Sequence, residues 1–207
     1  MAAALSLEQM LAERRVWRGQ PTHAPAPNGQ PTGIAALDAV LPHNGWPPAA
    51  LIEILIPADG VGELGLVWPT LAHITRSGGL VVIVAPPYIP YAPAWHLAGI
   101  ALSGLQVIRA NARDSLWAAE QCLRSGACAA VLCWPMHADD RALRRLQVAA
   151  ETGQALGFAF RSHKTIANPS PAALRVAVET RPRQLRVVKC RGAMPPARAI
   201  PLASLSY

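Results

Sequence analysis

The chain lacks any run of about 18 or more apolar residues free of charge and proline, so the sequence offers no membrane-spanning helix. Its opening, MAAALSLEQMLAERRVWRG, has no basic stretch followed by a long apolar one. Glu8, Glu13, Arg14 and Arg15 come too early for a secretory leader, and a cytoplasmic protein is expected. There is no CxxC pair. Cys122, Cys128, Cys133 and Cys190 stand at spacings unlike those of zinc ligands and read as small apolar residues of helices and strands. No serine sits in a G-x-S-x-G elbow and the six histidines are scattered, so no catalytic triad, metal or cofactor is expected. Acidic residues are scarce, 12 against 19 basic, for a net charge of +7. That balance permits contact with nucleic acid or an acidic partner without requiring either.

What is abundant is apolar residues, 52% of the chain, much of them alanine; aromatics make up only 5%, six of them Trp. At 207 residues the chain is long enough for one α/β domain with short appendages. Residues 5–18 read as a helix with Leu7, Met10, Leu11 and Trp17 on one face. A Pro/Gly-rich tether, 19–31, follows. A helix on such a tether cannot bury its own stripe, so it docks on its own core or on another molecule. The core is expected over 32–203, with a short tail at 204–207.

Within the core, apolar runs of strand length fall at 50–55, 80–86, 105–110, 129–134 and 155–160. Helical patterns alternate with them at 63–77, 115–125 and 141–152. Pro69 should bend the first helix or delay its start. Asp114 is the expected cap of the second, and Asp139 or Asp140 of the third. Alternation predicts a mainly parallel, twisted sheet flanked by helices. Strands at 173–180 and 184–190, and a third at 197–203, read as an antiparallel edge.

The stretch EILIPADGVGELGLVW, 53–68, stands where a nucleotide-binding protein keeps its phosphate loop, between a strand and a helix. The context is right and the chemistry is missing. Pro57, Asp59, Gly60, Gly62 and Glu63 include no lysine for the phosphates and no hydroxyl for Mg²⁺ in either register. Glu63 places a carboxylate where triphosphate oxygens would lie, and like charges within about 4 Å in a partly dry site cost several kcal/mol. The strand at 129–134 ends in Trp134 rather than an acidic residue, and 80–86 runs into prolines with no glutamate to activate water. Three losses together exclude ordinary ATP hydrolysis, and the chain is not expected to be an enzyme. An unusual nucleotidase is the enzymatic rival.

PTGIAALDAVLPHNGWPPAALIEI, 31–54, resembles the opening of the RecA core through Thr32-Gly33, Leu37-Asp38, Asn44-Gly45 and Glu53-Ile54. ANPSPAALRVAVETR and QLRVVKCRGAMPPARAIPL resemble the end of that family's second DNA-binding loop and its last core strands. PADGVGELGLVWPTLA, APPYIPYAPAW, LWAAEQCLRSGACAAVLCWP and RALRRLQVAAETGQALGFAFR make the chain similar to the ImuA family, a degenerate RecA-like group related to the SulA cell-division inhibitors. The resemblance implies a RecA-like core and a role in SOS-induced translesion synthesis beside an ImuB-like polymerase subunit and an error-prone replicative-type polymerase. A SulA-like division inhibitor is the alternative. It also implies that Lys189 and Arg191, in VVKCR, match a basic pair that RecA subunits extend to a neighbour's ATP. On that reading the protein caps or adapts one end of a RecA filament. The plainer reading makes them solvated residues of an edge strand.

Other candidate contacts follow from residue type. Tyr88, Tyr91 and Trp95 lie among prolines in the 85–95 loop, a stiff aromatic segment suited to anchoring a partner or to covering the dead cleft. Arg141, Arg144 and Arg145 form a basic stripe that fits DNA, an acidic partner or plain solvent. Arg161 and Lys164 fall in the segment placed like the second DNA-binding loop, which has no aromatic for base stacking, so DNA contact should be weak at most.

Overall fold

The structure is a computed structural model and describes residues 29–202. The 5–18 helix with Leu7, Met10, Leu11 and Trp17, most of the tether and the tail lie outside the described residues. Gly29 and Gln30, ahead of the expected boundary, are already packed on the core. The Gly29 N–H donates to the His43 carbonyl at 2.8 Å, and Gln30 bridges to Trp46.

The strands are β1 (Leu51–Ile56), β2 (Val81–Val84), β3 (Leu105–Ile108), β4 (Ala130–Cys133), β5 (Leu156–Ser162), β6 (Leu174–Thr180), β7 (Arg183–Cys190) and β8 (Ile200–Pro201). They form one 8-stranded sheet in the order β3-β2-β4-β5-β1-β6-β7-β8. The first six in that order pair in parallel, and β7 and β8 close the sheet antiparallel. The helices are α1 (Ala35–Asp38), α2 (Trp68–Arg76), α3 (Ala92–Leu97), α4 (Ala112–Arg124) and α5 (Asp140–Gly153). This is the α/β architecture the alternation predicts. None of the described helices is long and apolar enough to cross a membrane.

Local chemistry adjusts several boundaries. α2 starts only at Trp68, with Pro69 in its first turn, where the missing N–H costs nothing; a short 3₁₀ turn, Glu63–Leu66, precedes it. α4 starts earlier than the apolar pattern suggests. Its cap is Asn111, which accepts from the Asp114 N–H at 2.9 Å and donates back to the Asp114 carboxylate at 2.8 Å, so Asp114 sits in the first turn rather than at the cap. Asp139 caps α5, accepting from the Ala142 N–H at 2.7 Å. α3 arises inside the 85–95 segment read as loop. The third late strand is short, Ile200–Pro201, pairing with Gln184 and Leu185 of β7.

Residues of alternating parity along each central strand serve two cores of different texture. Ile52, Ile54, Ile83, Leu132, Phe158 and Phe160 face α1, α2 and the buried Trp46, whose ring meets Phe158 edge-on at 5.4 Å. On the other face the residues are smaller: Val82, Val131 and Ala159 lie under α4 and α5, which contribute Ala119, Ala149 and Ala150. The alanine-rich composition is thus concentrated where a helix pair must pack close. Gly153 shows how close, since a Cβ there would fall 1.9 Å from the Leu123 carbonyl oxygen of α4. Gly153→Ala is therefore expected to destabilise the protein by roughly 1–2 kcal/mol in urea unfolding, overpacking outweighing the helix-propensity gain. An unchanged midpoint would mean that the two helices slide apart freely.

The residues of the 31–54 segment hold the chain entry in place. Thr32 N–H donates to Asp38 at 3.0 Å, and Gly33, at φ 81°, lies where a Cβ would strike Pro69 at 2.4 Å. The Trp46 indole donates to Thr70, which in turn donates to the Pro31 carbonyl, both at 2.9 Å. Together these links clamp the incoming chain onto the start of α2.

Candidate functional site

The carboxyl ends of β1, β2 and β4 come together at one edge of the sheet, where open α/β sheets bind ligands. After β1, Pro57, Asp59 and Gly60 are exposed, and Gly60 and Gly62 take left-handed φ of 78° and 85° to turn the chain into the 3₁₀ segment. Glu63 then folds inward. It is 6% exposed, and its Oε1 accepts from the Gly60 N–H at 3.2 Å. A backbone donor of the kind a phosphate oxygen requires is thus already occupied by the protein's own carboxylate. Glu63 Oε2 is buried with no hydrogen-bond partner among the described residues.

Beyond β4, the Trp134 ring stacks on Phe160 with centroids 5.0 Å apart, placing an aromatic plane at the end of that strand. Beyond β2, Ala85 adopts φ 46° while its N–H donates to the Ile108 carbonyl at 2.8 Å, and Pro86 and Pro87 lead the chain outward. Tyr88, Ile89 and Tyr91 are 71%, 81% and 70% exposed. Trp95 is not with them. It is 3% exposed and packs against Trp68 with ring centroids 6.1 Å apart, so it belongs to the core and is unavailable as a surface anchor. The reason is α3, which turns the end of the segment back onto α2. A cavity of about 240 Å³ lies under this loop, lined by Glu63, Trp68, Trp95, Trp134, Tyr88 and Tyr91 among others.

Lys189 and Arg191 lie at the opposite edge. Leu174 pairs both with Ile52, at the start of β1, and with Cys190, so the end of β7 is at the amino edge of the parallel strands. Lys189 is half-buried and its Nζ donates to the Ser170 carbonyl at 2.6 Å. Burial first, then the positive charges of Arg191 and Arg175, hold its ammonium below the ordinary lysine range. Arg191 pairs with Glu151 at 3.2 Å and donates to the Pro171 carbonyl at 3.2 Å, yet stays largely exposed. Both cations therefore have local partners while remaining at the surface.

The remaining basic candidates divide. Arg141, Arg144 and Arg145 are all exposed on α5. Arg144 pairs with Asp140 at 3.4 Å, and Arg145 with Glu120 of α4. Lys164 is exposed in a short 3₁₀ turn, His163–Thr165. Arg161 is a correction: it is 3% exposed and cannot reach DNA or a partner. It donates to Glu53 at 2.9 Å and to the Ala138 carbonyl at 2.8 Å, inside the α5 face of the sheet.

That contact belongs to a site the sequence reading missed. Glu53, on the central strand β1, is fully buried between Arg161 of β5 and Arg175 of β6, the second pair at 2.5 Å. Arg175 also donates to the carbonyls of Thr165, Ile166 and Asn168 at 2.9–3.1 Å. One charge network therefore joins three strands to the 163–168 turn. Charged residues inside strands otherwise buried on both faces were the available signal, since such charges persist only when paired. Burial raises the Cys122 and Cys190 thiols, the neighbouring Cys128 adding to the first, and pushes Cys133 up to about 12.

No family model matches the chain, and no curated protein matches it. Among solved structures, SulA from Pseudomonas aeruginosa aligns with a TM-score of 0.46 and 23% identity, covering 54% of this chain and 97% of that one. At that score and identity the likeness carries no functional argument. What the structure itself establishes is an α/β fold with a mostly parallel 8-stranded sheet and flanking helices.

Proposed function

We propose that this chain is a non-catalytic, RecA-like assembly protein. It would work in SOS-induced translesion synthesis by binding an ImuB-like polymerase subunit, within a complex that includes an error-prone polymerase, and by meeting the end of a RecA filament. The observation that carries the reading is Glu63, whose carboxylate takes the Gly60 N–H inside the loop where a nucleotide's phosphates would sit. With Trp134 and two prolines at the neighbouring strand ends, that edge is apolar and aromatic and suits protein contact better than phosphate chemistry. A second observation supports a filament end. The altered loop and the Lys189–Arg191 pair occupy opposite edges of the sheet, the arrangement a head-to-tail interface needs. Such a subunit offers basic residues on one face and no nucleotide site on the other.

Calorimetry with ATP and Mg²⁺ is expected to show no binding heat, and micromolar binding would return the chain to the nucleotidases. Pull-downs from damaged cells should recover the polymerase subunit and RecA. Changing both Lys189 and Arg191 to alanine should lower RecA recovery at least about tenfold while leaving the fold intact, since each removes a charged hydrogen-bonding group. Unchanged recovery would remove the filament-end role. Filamentation of overexpressing cells without recovery of either partner would favour the division-inhibitor alternative.

A further inference from the structure

Two residues that line the cavity beside the 86–91 loop carry buried polar groups of opposite kind. Glu63 Oε2 is an acceptor without a donor, and Trp134 Nε1 is a donor without an acceptor, both buried and both without a partner among the described residues. Buried groups left in this state are rare, and each one needs an explanation. Their two residues line one cavity, together with the rings of Trp68, Trp95, Tyr88 and Tyr91. A carboxylate inside an aromatic box is a setting for an organic cation. Ring faces attract the positive charge, and the carboxylate accepts its N–H groups.

The geometry points to a binding pocket for an arginine side chain presented by a partner protein. Arginine fits better than lysine because its flat guanidinium stacks on aromatic planes while directing donors along its edge. A peptide arginine also brings its own backbone carbonyl, the acceptor that the Trp134 indole lacks. A cavity of about 240 Å³ admits one such side chain and little more. The exposed loop carrying Tyr88, Ile89 and Tyr91 forms the outer wall, so the two tyrosines lie against a guest, and the buried Glu63 carboxylate turns toward the cavity to meet it. The site inverts the charge preference of a phosphate loop: the place built for a polyanion accepts a cation. This deepens the assembly reading by naming a chemical feature of the partner, and it rests on that reading only for the source of the arginine.

The test uses the full chain and N-acetyl-arginine methylamide, followed by tryptophan fluorescence, since three of the six tryptophans line the cavity. Saturable binding is expected at millimolar concentrations. Glu63→Gln should weaken it about tenfold or more by removing the charge from the hydrogen bond. N-acetyl-norleucine methylamide, which keeps an unbranched aliphatic stem and the carbonyl but not the cation, should not saturate. Trp134→Phe, which keeps the stack on Phe160, should weaken the arginine amide but leave methylguanidinium unaffected. No saturable binding by the native chain, or equal binding by the Glu63→Gln and native proteins, overturns the pocket. Should the Glu63 variant fail to fold, equal binding of the arginine and norleucine amides by the native chain overturns it as well. Either failure would leave the assembly reading standing on its pull-downs, and binding of the arginine amide without any recovered partner would do the reverse.

Discussion

Replacing Glu53 with alanine is expected to lower folding stability by about 3–5 kcal/mol, the range for breaking a buried ion pair from one side. Arg161 and Arg175 would keep their charges inside the sheet with only backbone carbonyls left to receive them. Relocating them to water is blocked, since both strands are covered. Chemical unfolding by urea measures the loss directly. The companion variant separates charge from shape. Replacing Glu53, Arg161 and Arg175 together by apolar residues of similar volume should be near neutral or stabilising, because desolvating three charges offsets most of what their attraction returns. That variant should nonetheless loosen the 163–168 turn, whose carbonyls Arg175 gathers, and amide exchange there would report it. A loss below about 1 kcal/mol for the single variant would mean that the network contributes little.

Under the proposed assembly role, changing Tyr88 and Tyr91 together to alanine is expected to weaken association with a polymerase subunit by at least about 30-fold, the scale of a central aromatic anchor worth 2 kcal/mol or more. Both rings already stand in water on a segment stiffened by four prolines, Pro86, Pro87, Pro90 and Pro93, so little ordering opposes their use. Folding stability should change by no more than about 0.5 kcal/mol, as for other exposed sites. Surface-captured binding assays with purified partner, paired with a melting curve, make the comparison. Equal affinity would reduce the loop to a cover over the old cleft. Trp95, the fourth residue of α3, is the control. As a core residue packed on Trp68, its removal should damage the fold itself.

The elements most legible in the sequence were those whose signal is local. A run such as Val81–Val84, apolar at every position, is a strand buried on both faces wherever it lies. The absence of a lysine or hydroxyl after β1 was equally plain, because a phosphate loop needs a particular side chain at a particular offset and such an absence is visible without coordinates. Less local features were misread. Arg161 looked like a surface cation because arginine usually is one, and its partner stands 108 residues earlier in the chain. Trp95 looked like part of an exposed aromatic loop because a six-residue helix after Tyr91 leaves little periodic trace. Asn111 was passed over as a cap because the apolar stripe of α4 begins later than the helix.

The amino-acid sequence by itself determined the alternation of the main strands and helices, the parallel character of the sheet and the absence of a lysine or hydroxyl from the loop after β1. These depend on residues within a few positions of one another, where periodicity, caps and motif offsets act. Only the tertiary structure decided that Glu53 is held by two arginines from neighbouring strands, that Glu63 turns its carboxylate into the protein, and that the altered loop and the Lys189–Arg191 pair lie on opposite edges. The physical reason is that burial and pairing are properties of strand order, which brings together residues more than 100 positions apart and sets whether a charge meets water, a partner or neither.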